Sequence, residues 1–235
     1  MQPTKKTARI AGALYLSLLI PGPFSLIYIP SALIVPGNAA ATAGKILASE
    51  MLFRLGIVAD LVGAVLFILT GLALYRLLSG VNQALASLMV ILVLVSATVG
   101  FVNALSNVAA LTLFRGADFL AAFGKPQRDA LGMLFLRLHG QGNVINEIFW
   151  GLWLLPFGML VMRSRFLPRI LGVLLIVNCF AYVALSLTGL LFPDYGNLLF
   201  RASQPALLGE LWIMLWLLIK GAKVDKVEPL AAAAA

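Results

Sequence analysis

The sequence predicts an all-α, polytopic transmembrane helical bundle with about six spans. Three observations carry that expectation. Apolar residues make up 62% of the 235 residues and Asp, Glu, Lys and Arg only 11%, whereas soluble domains sit near half apolar and a quarter charged. So few charges cannot clothe a soluble surface. The mean hydropathy is +1.02. Finally, the apolar residues gather into stretches near the ~20 residues that a helix needs to cross a ~30 Å hydrocarbon layer.

Taken in order, the first span is expected over about residues 8–29. Lys5, Lys6 and Arg9 precede it, but no small-residue cleavage site follows, so it reads as a retained helix rather than a signal peptide. Pro21-Gly22-Pro23 interrupts it, and proline removes a helix donor and clashes with the preceding turn, so a kink or break is expected there. Pro30, Pro36, Gly37 and Asn38 mark a loop that ends in a short interfacial helix. Spans two and three follow over about 51–78 and 82–114, with Gly80 and Asn82 at the turn between them. A loop over 115–126 leads to a long fourth helix, about 128–162, whose first half is rich in polar residues. The fifth covers about 167–192. The sixth, about 205–219, is short for a span, which points to a start before Pro205 or to a thinner bilayer. Residues 1–222 are expected to form one domain and residues 223–235 a disordered basic tail in the cytoplasm.

Orientation follows from Lys and Arg in the short connections. With the N-terminus inside, ten basic residues fall on the inner side and seven on the outer, together the 17 of the chain. Arg163, Arg165 and the basic C-terminal end are the strongest signals. Both termini are therefore expected in the cytoplasm and the protein in a cell membrane. The net charge of +8 is explained by these flanks, and no nucleic-acid partner is expected. One cysteine, Cys179, excludes an intrachain disulfide and a thiolate-held cofactor. One histidine, His139, excludes a multi-histidine metal site within the chain. No cofactor is expected.

Ionisable residues inside hydrocarbon are costly and each is a functional-site hypothesis. Asp60 lies 16 residues before Arg76, Glu147 16 before Arg163, and Glu210 10 before Lys220. At 1.5 Å per residue the first two sit roughly 24 Å from the inner edge and Glu210 roughly 15 Å, near the midplane. Asn103 and Asn107 share a helix face with Ser96 and Gly100. His139, Asn143, Asn146 and Trp150 form one stripe on the fourth helix, with Glu147 beside it and Arg137 and Gln141 opposite. Glu50 and Arg54 are an (i, i+4) ion pair in the favourable order. The polar set Asp60, Asn103, Asn107, His139, Asn143, Asn146, Glu147 and Glu210 is expected to line a cavity that opens to the extracytoplasmic side and binds or transports a small molecule or lipid. Equal depth is expected to let Asp60 and Glu147 share a site. Two alternatives stand beside this: an intramembrane enzyme using Asp60, His139 and Glu147, and a ligand-free subunit in which the same residues hydrogen-bond the bundle together. One-His, two-carboxylate metal binding would need a bend at Gly140 to Gly142, because His139 and Glu147 are about 12 Å apart on a straight helix. Beyond the lipid bilayer and that ligand, the sequence names no partner and no oligomeric state.

The run Trp150-Gly151-Leu152-Trp153-Leu154-Leu155-Pro156-Phe157-Gly158, followed by Ser164, Pro168, Arg169 and Leu171-Gly172, resembles the bacterial membrane family called domain of unknown function 4386. Lys5, Lys6, Ala8-Arg9-Ile10-Ala11-Gly12 and the region of Arg54 are similar to it as well, so the likeness runs from about Lys6 to Lys220. The resemblance implies a bacterial inner-membrane protein of about six spans. It carries over neither an activity nor catalytic residues.

Overall fold

The computed structural model describes residues 4–222 and is helical throughout, with no strand among those residues. Seven helices organise it: α1 (Lys5–Leu33), α2 (Ala39–Ala48), α3 (Glu50–Leu78), α4 (Gln83–Arg115), α5 (Lys125–Arg163), α6 (Arg169–Leu191) and α7 (Leu198–Ile219). All but α2 are long and apolar enough to cross a membrane. Large apolar side chains such as Ile91, Leu94, Val177, Phe180 and Trp212 point outward and exposed, as hydrocarbon requires and water forbids. The chain is a multi-pass membrane protein. The expected tail over 223–235 lies outside the described residues.

The helix ends are written in the sequence. Thr4 caps α1 by accepting from the Thr7 N–H, Asn82 caps α4 by accepting from the Leu85 N–H at 3.0 Å, and Asn38 caps α2 in the same way. Gly116, with φ of 71°, closes α4 in the left-handed region.

Three of the spans carry a hitch, each near proline. α1 is regular to Ser17, loosens over 18–20, and resumes at Pro21 into a π-helical turn over Phe24–Tyr28. The interruption expected at Pro21-Gly22-Pro23 is thus a mild one, a bend of 12 degrees. α5 hitches at Trp153, three residues before Pro156, and α7 at Leu208, three after Pro205. A proline nitrogen cannot donate, so each of these spans lacks a ladder hydrogen bond near its hitch. The sixth span does begin before Pro205, running from Leu198.

The six spans close into a ring in the order α1, α3, α4, α5, α6, α7 and back to α1. α1 and α7 run antiparallel in close contact: Gly12 lies so near the backbone of Leu217 and Leu218 that a Cβ there would sit 2.5 Å from the Leu218 nitrogen. Arg9 donates to the Ile219 carbonyl at 3.3 Å. Gly221 lies against the Lys5 carbonyl. Both ends of the described chain therefore meet at one end of the bundle, here the terminal end; the opposite one is the far end.

Two apolar cores stack along the axis. The one toward the terminal end holds Tyr15, Leu74, Met89, Trp153, Phe157 and Ile213. The one at the far end holds Ile29, Ile46, Phe53, Phe114 and Leu136. This second core exists because α3, α4 and α5 outrun α6. Val144 of α5 faces Gly189, two residues from the end of α6, so the first turns of α5 continue past it and are covered by α2 and the end of α1. A polar layer separates the two cores.

A prediction follows for the α1–α7 seam. Gly12→Ala should lower stability by about 1–3 kcal/mol, because backbone cannot yield to the added methyl group. Gly22→Ala, with no atom within 4 Å of the new Cβ, should be close to neutral. Thermal unfolding in detergent, followed by loss of helical circular dichroism, compares the two.

Candidate functional site

The polar layer is built first from two hydrogen-bonded rungs between α4 and α5. Ser96 donates to Asn146 Oδ1 at 3.0 Å, and Asn146 Nδ2 returns a bond to the Ser96 carbonyl at 3.2 Å. Seven residues along each helix, Asn103 Nδ2 donates to the His139 carbonyl at 2.9 Å and to Asn143 Oδ1 at 3.0 Å. Seven residues is two turns, so both rungs fall on one face of each helix, as the spacing of Ser96, Asn103 and of His139, Asn143, Asn146 predicts. The amides reach the opposite backbone because Gly142 lets α4 and α5 close up: a Cβ on Gly142 would lie 2.1 Å from Asn103 Oδ1. Arg137 and Gln141, expected on the opposite side, are exposed.

Asp60 of α3 faces this second rung. Its Oδ2 stands 3.6 Å from His139 Nε2, and the two side chains keep 15% and 14% exposure. Ser25, presented by the π-helical turn of α1, meets Asp60 from the other side. His139 Nδ1 lies 3.2 Å from the Asn103 carbonyl oxygen. A carbonyl only accepts, so Nδ1 bears a hydrogen. Nε2 is then the ring atom turned toward the carboxylate.

The structure brings Asp60, Asn103, His139 and Asn143 together, holds Asn146 two turns away on the rung with Ser96, and leaves Glu147, Asn107 and Glu210 apart from them. Asn107 is buried farther along α4 and makes no hydrogen bond among the described residues. Asp60 and Glu147 are not at one depth. Asp60 is level with His139, and α5 is an uninterrupted helix from Lys125 to Leu152, so Glu147 lies about 12 Å nearer the terminal end. The basic residues used as rulers, Arg76 and Arg163, do not share a plane. α4 also stands between α3 and most of α5. The set Asp60, His139 and Glu147 is therefore not assembled, and among the described residues no three His, Cys, Asp or Glu side chains gather as a metal site. Glu50 pairs with Arg54 at 2.7 Å as expected, and also with Arg115 at 3.5 Å.

Glu210 belongs to a second polar group. Its Oε2 accepts from the Tyr15 hydroxyl of α1, and its Oε1 accepts from Asn178 Nδ2 of α6 at 2.9 Å. Tyr182 borders the same carboxylate. Ser25, Tyr15, Asn178 and Tyr182 escaped the sequence reading because single hydroxyls and amides in apolar runs carry no pattern. One signal was present: Tyr15 follows Lys5 by 10 residues and Glu210 precedes Lys220 by 10, equal depths on helices that turn out to be neighbours.

Two surface grooves are apolar and include none of the eight expected residues. One, of about 510 Å³, lies where α6 meets α7 at the far end, between Thr188, Phe192, Tyr195 and Leu198. The other runs along α4 past Ile91, Leu94 and Thr98.

The family described as domain of unknown function (DUF4386) matches residues 10–221. The chain belongs to that family, and its own six long apolar helices are consistent with a membrane protein. No curated protein matches the chain, and no solved structure does.

The close approach at Gly142 makes a test of the rungs. Gly142→Ala should destabilise the protein by about 1–3 kcal/mol by pushing Asn103 away. Asn103→Ala removes the obstructing amide, so the double variant should lose clearly less than the sum of the two single losses. Unfolding in a graded sodium dodecyl sulfate titration measures the cycle.

Proposed function

We propose that this member of the family binds a small molecule or the head of a lipid at the Ser25, Asp60, His139 and Asn103 cluster, from the extracytoplasmic side. The observation that carries the reading is the ion-pair-range contact of Asp60 with His139 at 3.6 Å, partly exposed and set against a π-helical turn. A pair intended only to hold helices together gains most when it is tight and sealed. This one is looser than a hydrogen bond, reachable, and placed at a discontinuity of α1, where helices offer unpaired backbone groups to ligands. The neighbouring rungs fix its walls, so the pair is preorganised rather than mobile. Whether bound molecules are also moved across the membrane belongs to the same proposal, with residues 1–222 acting as one domain.

The orientation is part of the proposal. Arg163, Arg165, Arg169 and Lys220 gather at the terminal end, and this basic cluster supports the reading in which that end and both termini face the cytoplasm of a bacterial cell and the far end faces outside.

Two experiments address these readings. A reporter fused after Lys220 should be active as a cytoplasmic reporter, and one inserted at Gly124 as an extracytoplasmic one. The same side for both would overturn the orientation. A thermal-shift screen of purified protein against phospholipids, quinones and amphiphilic cations should give at least one stabilising ligand, and Asp60→Asn and His139→Gln should each remove the shift. A shift that survives both substitutions places the ligand elsewhere.

A further inference from the structure

We infer that Glu210, partly buried between α1 and α6 at the middle of the bundle, is a proton-binding site loaded from the far end by way of Glu147 and Tyr182. It is separate from the cluster around Asp60 and does not depend on any ligand there.

The argument begins with the neighbours of Glu210. From α1 comes the Tyr15 hydroxyl, from α6 Asn178 and Tyr182, and no Lys, Arg or His side chain forms a salt bridge with it among the described residues. Tyr15 is 1% exposed and Asn178 0%. A metal or sodium ion is held by oxygen lone pairs directed at it. Here the carboxylate instead receives O–H and N–H hydrogens. Each of these partners is reversible. A tyrosine hydroxyl can donate to a carboxylate or accept from a carboxylic acid, and an asparagine can turn its amide to offer either its N–H or its oxygen. Asn178 Oδ1 is buried with no hydrogen-bond partner among the described residues, an acceptor available to a protonated Glu210 once the amide turns. The surroundings thus fit the acid and its anion equally, which is what a group that gains and loses a proton needs.

A route exists on one side alone. Glu147 lies one turn from Gly151 on α5, and a Cβ on Gly151 would sit 3.0 Å from the Tyr182 Cβ. Tyr182 is one turn from Asn178, which holds Glu210, and so stands between the levels of Glu147 and Glu210. With Gly151 beside Tyr182, Glu147 lies one turn toward the far end and Asn178, the partner of Glu210, one turn toward the terminal end, a descending series. The transfer is balanced. Protonated Glu147 gives its hydrogen to the Tyr182 oxygen as the Tyr182 hydroxyl hydrogen passes to the Glu210 carboxylate. Glu147 is left as carboxylate, Glu210 as acid, and Tyr182 unchanged after its hydroxyl rotates. Beyond Tyr15 the way is shut. Tyr15 meets Trp153 edge-on with centroids 5.5 Å apart, Trp153 stacks on Phe157 at 5.4 Å, and both are buried.

Infrared difference spectroscopy of the purified protein across a pH titration tests this. Wild type should show a carboxylic-acid C=O band that comes and goes reversibly with pH. The Glu210 component of the band should be lost in Glu210→Gln and retained at a shifted frequency in Tyr15→Phe, with helical circular dichroism unchanged in both. Glu147→Gln should leave the equilibrium band in place and slow its appearance after a pH jump by about 10²-fold or more, as expected when a positioned proton carrier is removed. A band that is undiminished in folded Glu210→Gln, or wholly unmoved in Tyr15→Phe, overturns the site. An unaltered rate in Glu147→Gln overturns the route, and a band that follows sodium at constant pH overturns the choice of the proton.

Discussion

Inside hydrocarbon a polar group has no water to fall back on, so each must find its partner within the protein. The arrangement of this bundle follows from that constraint. Asn103, Asn146 and Ser96 would each be expensive alone; joined as reciprocal rungs they fix the spacing and register of α4 on α5. With that register fixed, Gly142 must be small, His139 must face α3, and Asp60 must meet it. Model membrane systems give about 1 kcal/mol for such a bond, so the rungs matter more for specifying one packing than for total stability.

The polar layer also divides the apolar interior. Toward the terminal end, aromatic and aliphatic side chains close the core around Trp153 and Phe157. At the far end, α2 and the overhanging turns of α3, α4 and α5 build a second core that would not exist if all spans had one length. The two polar groups play different parts in this frame. The one at Asp60 sits at the junction of the two cores; the one at Glu210 joins α7 to α1 and α6.

Composition and apolar runs disclosed the class, the number of spans and most helix limits, because each of those is a local property of chain length and hydropathy. Spacing also disclosed which faces of α4 and α5 meet. Adjacency was not legible. Asp60 and Glu147 have equal counts to a basic residue, yet Arg76 and Arg163 end their helices in different planes, and α4 intervenes. Glu210 looked like one more member of the outer group until α1 was seen to close the ring against α7. The order in which helices neighbour one another is a tertiary property, and in a single sequence without repeats nothing states it.

The three hitches of α1, α5 and α7 deserve to be seen as one object. Residues 18–20, Trp153 and Leu208 all fall near the level of Tyr15 and Glu210, while α3, α4 and α6 pass that level unbroken. A rod with weakened hydrogen-bond ladders flexes where they are weak. The bundle therefore has three compliant helices, α7 and α1 side by side and α5 beyond α6, set among three stiff staves. Bending about those staves would tilt the far ends of α1, α5 and α7 like fingers on a fixed palm, with Glu210 at the knuckle.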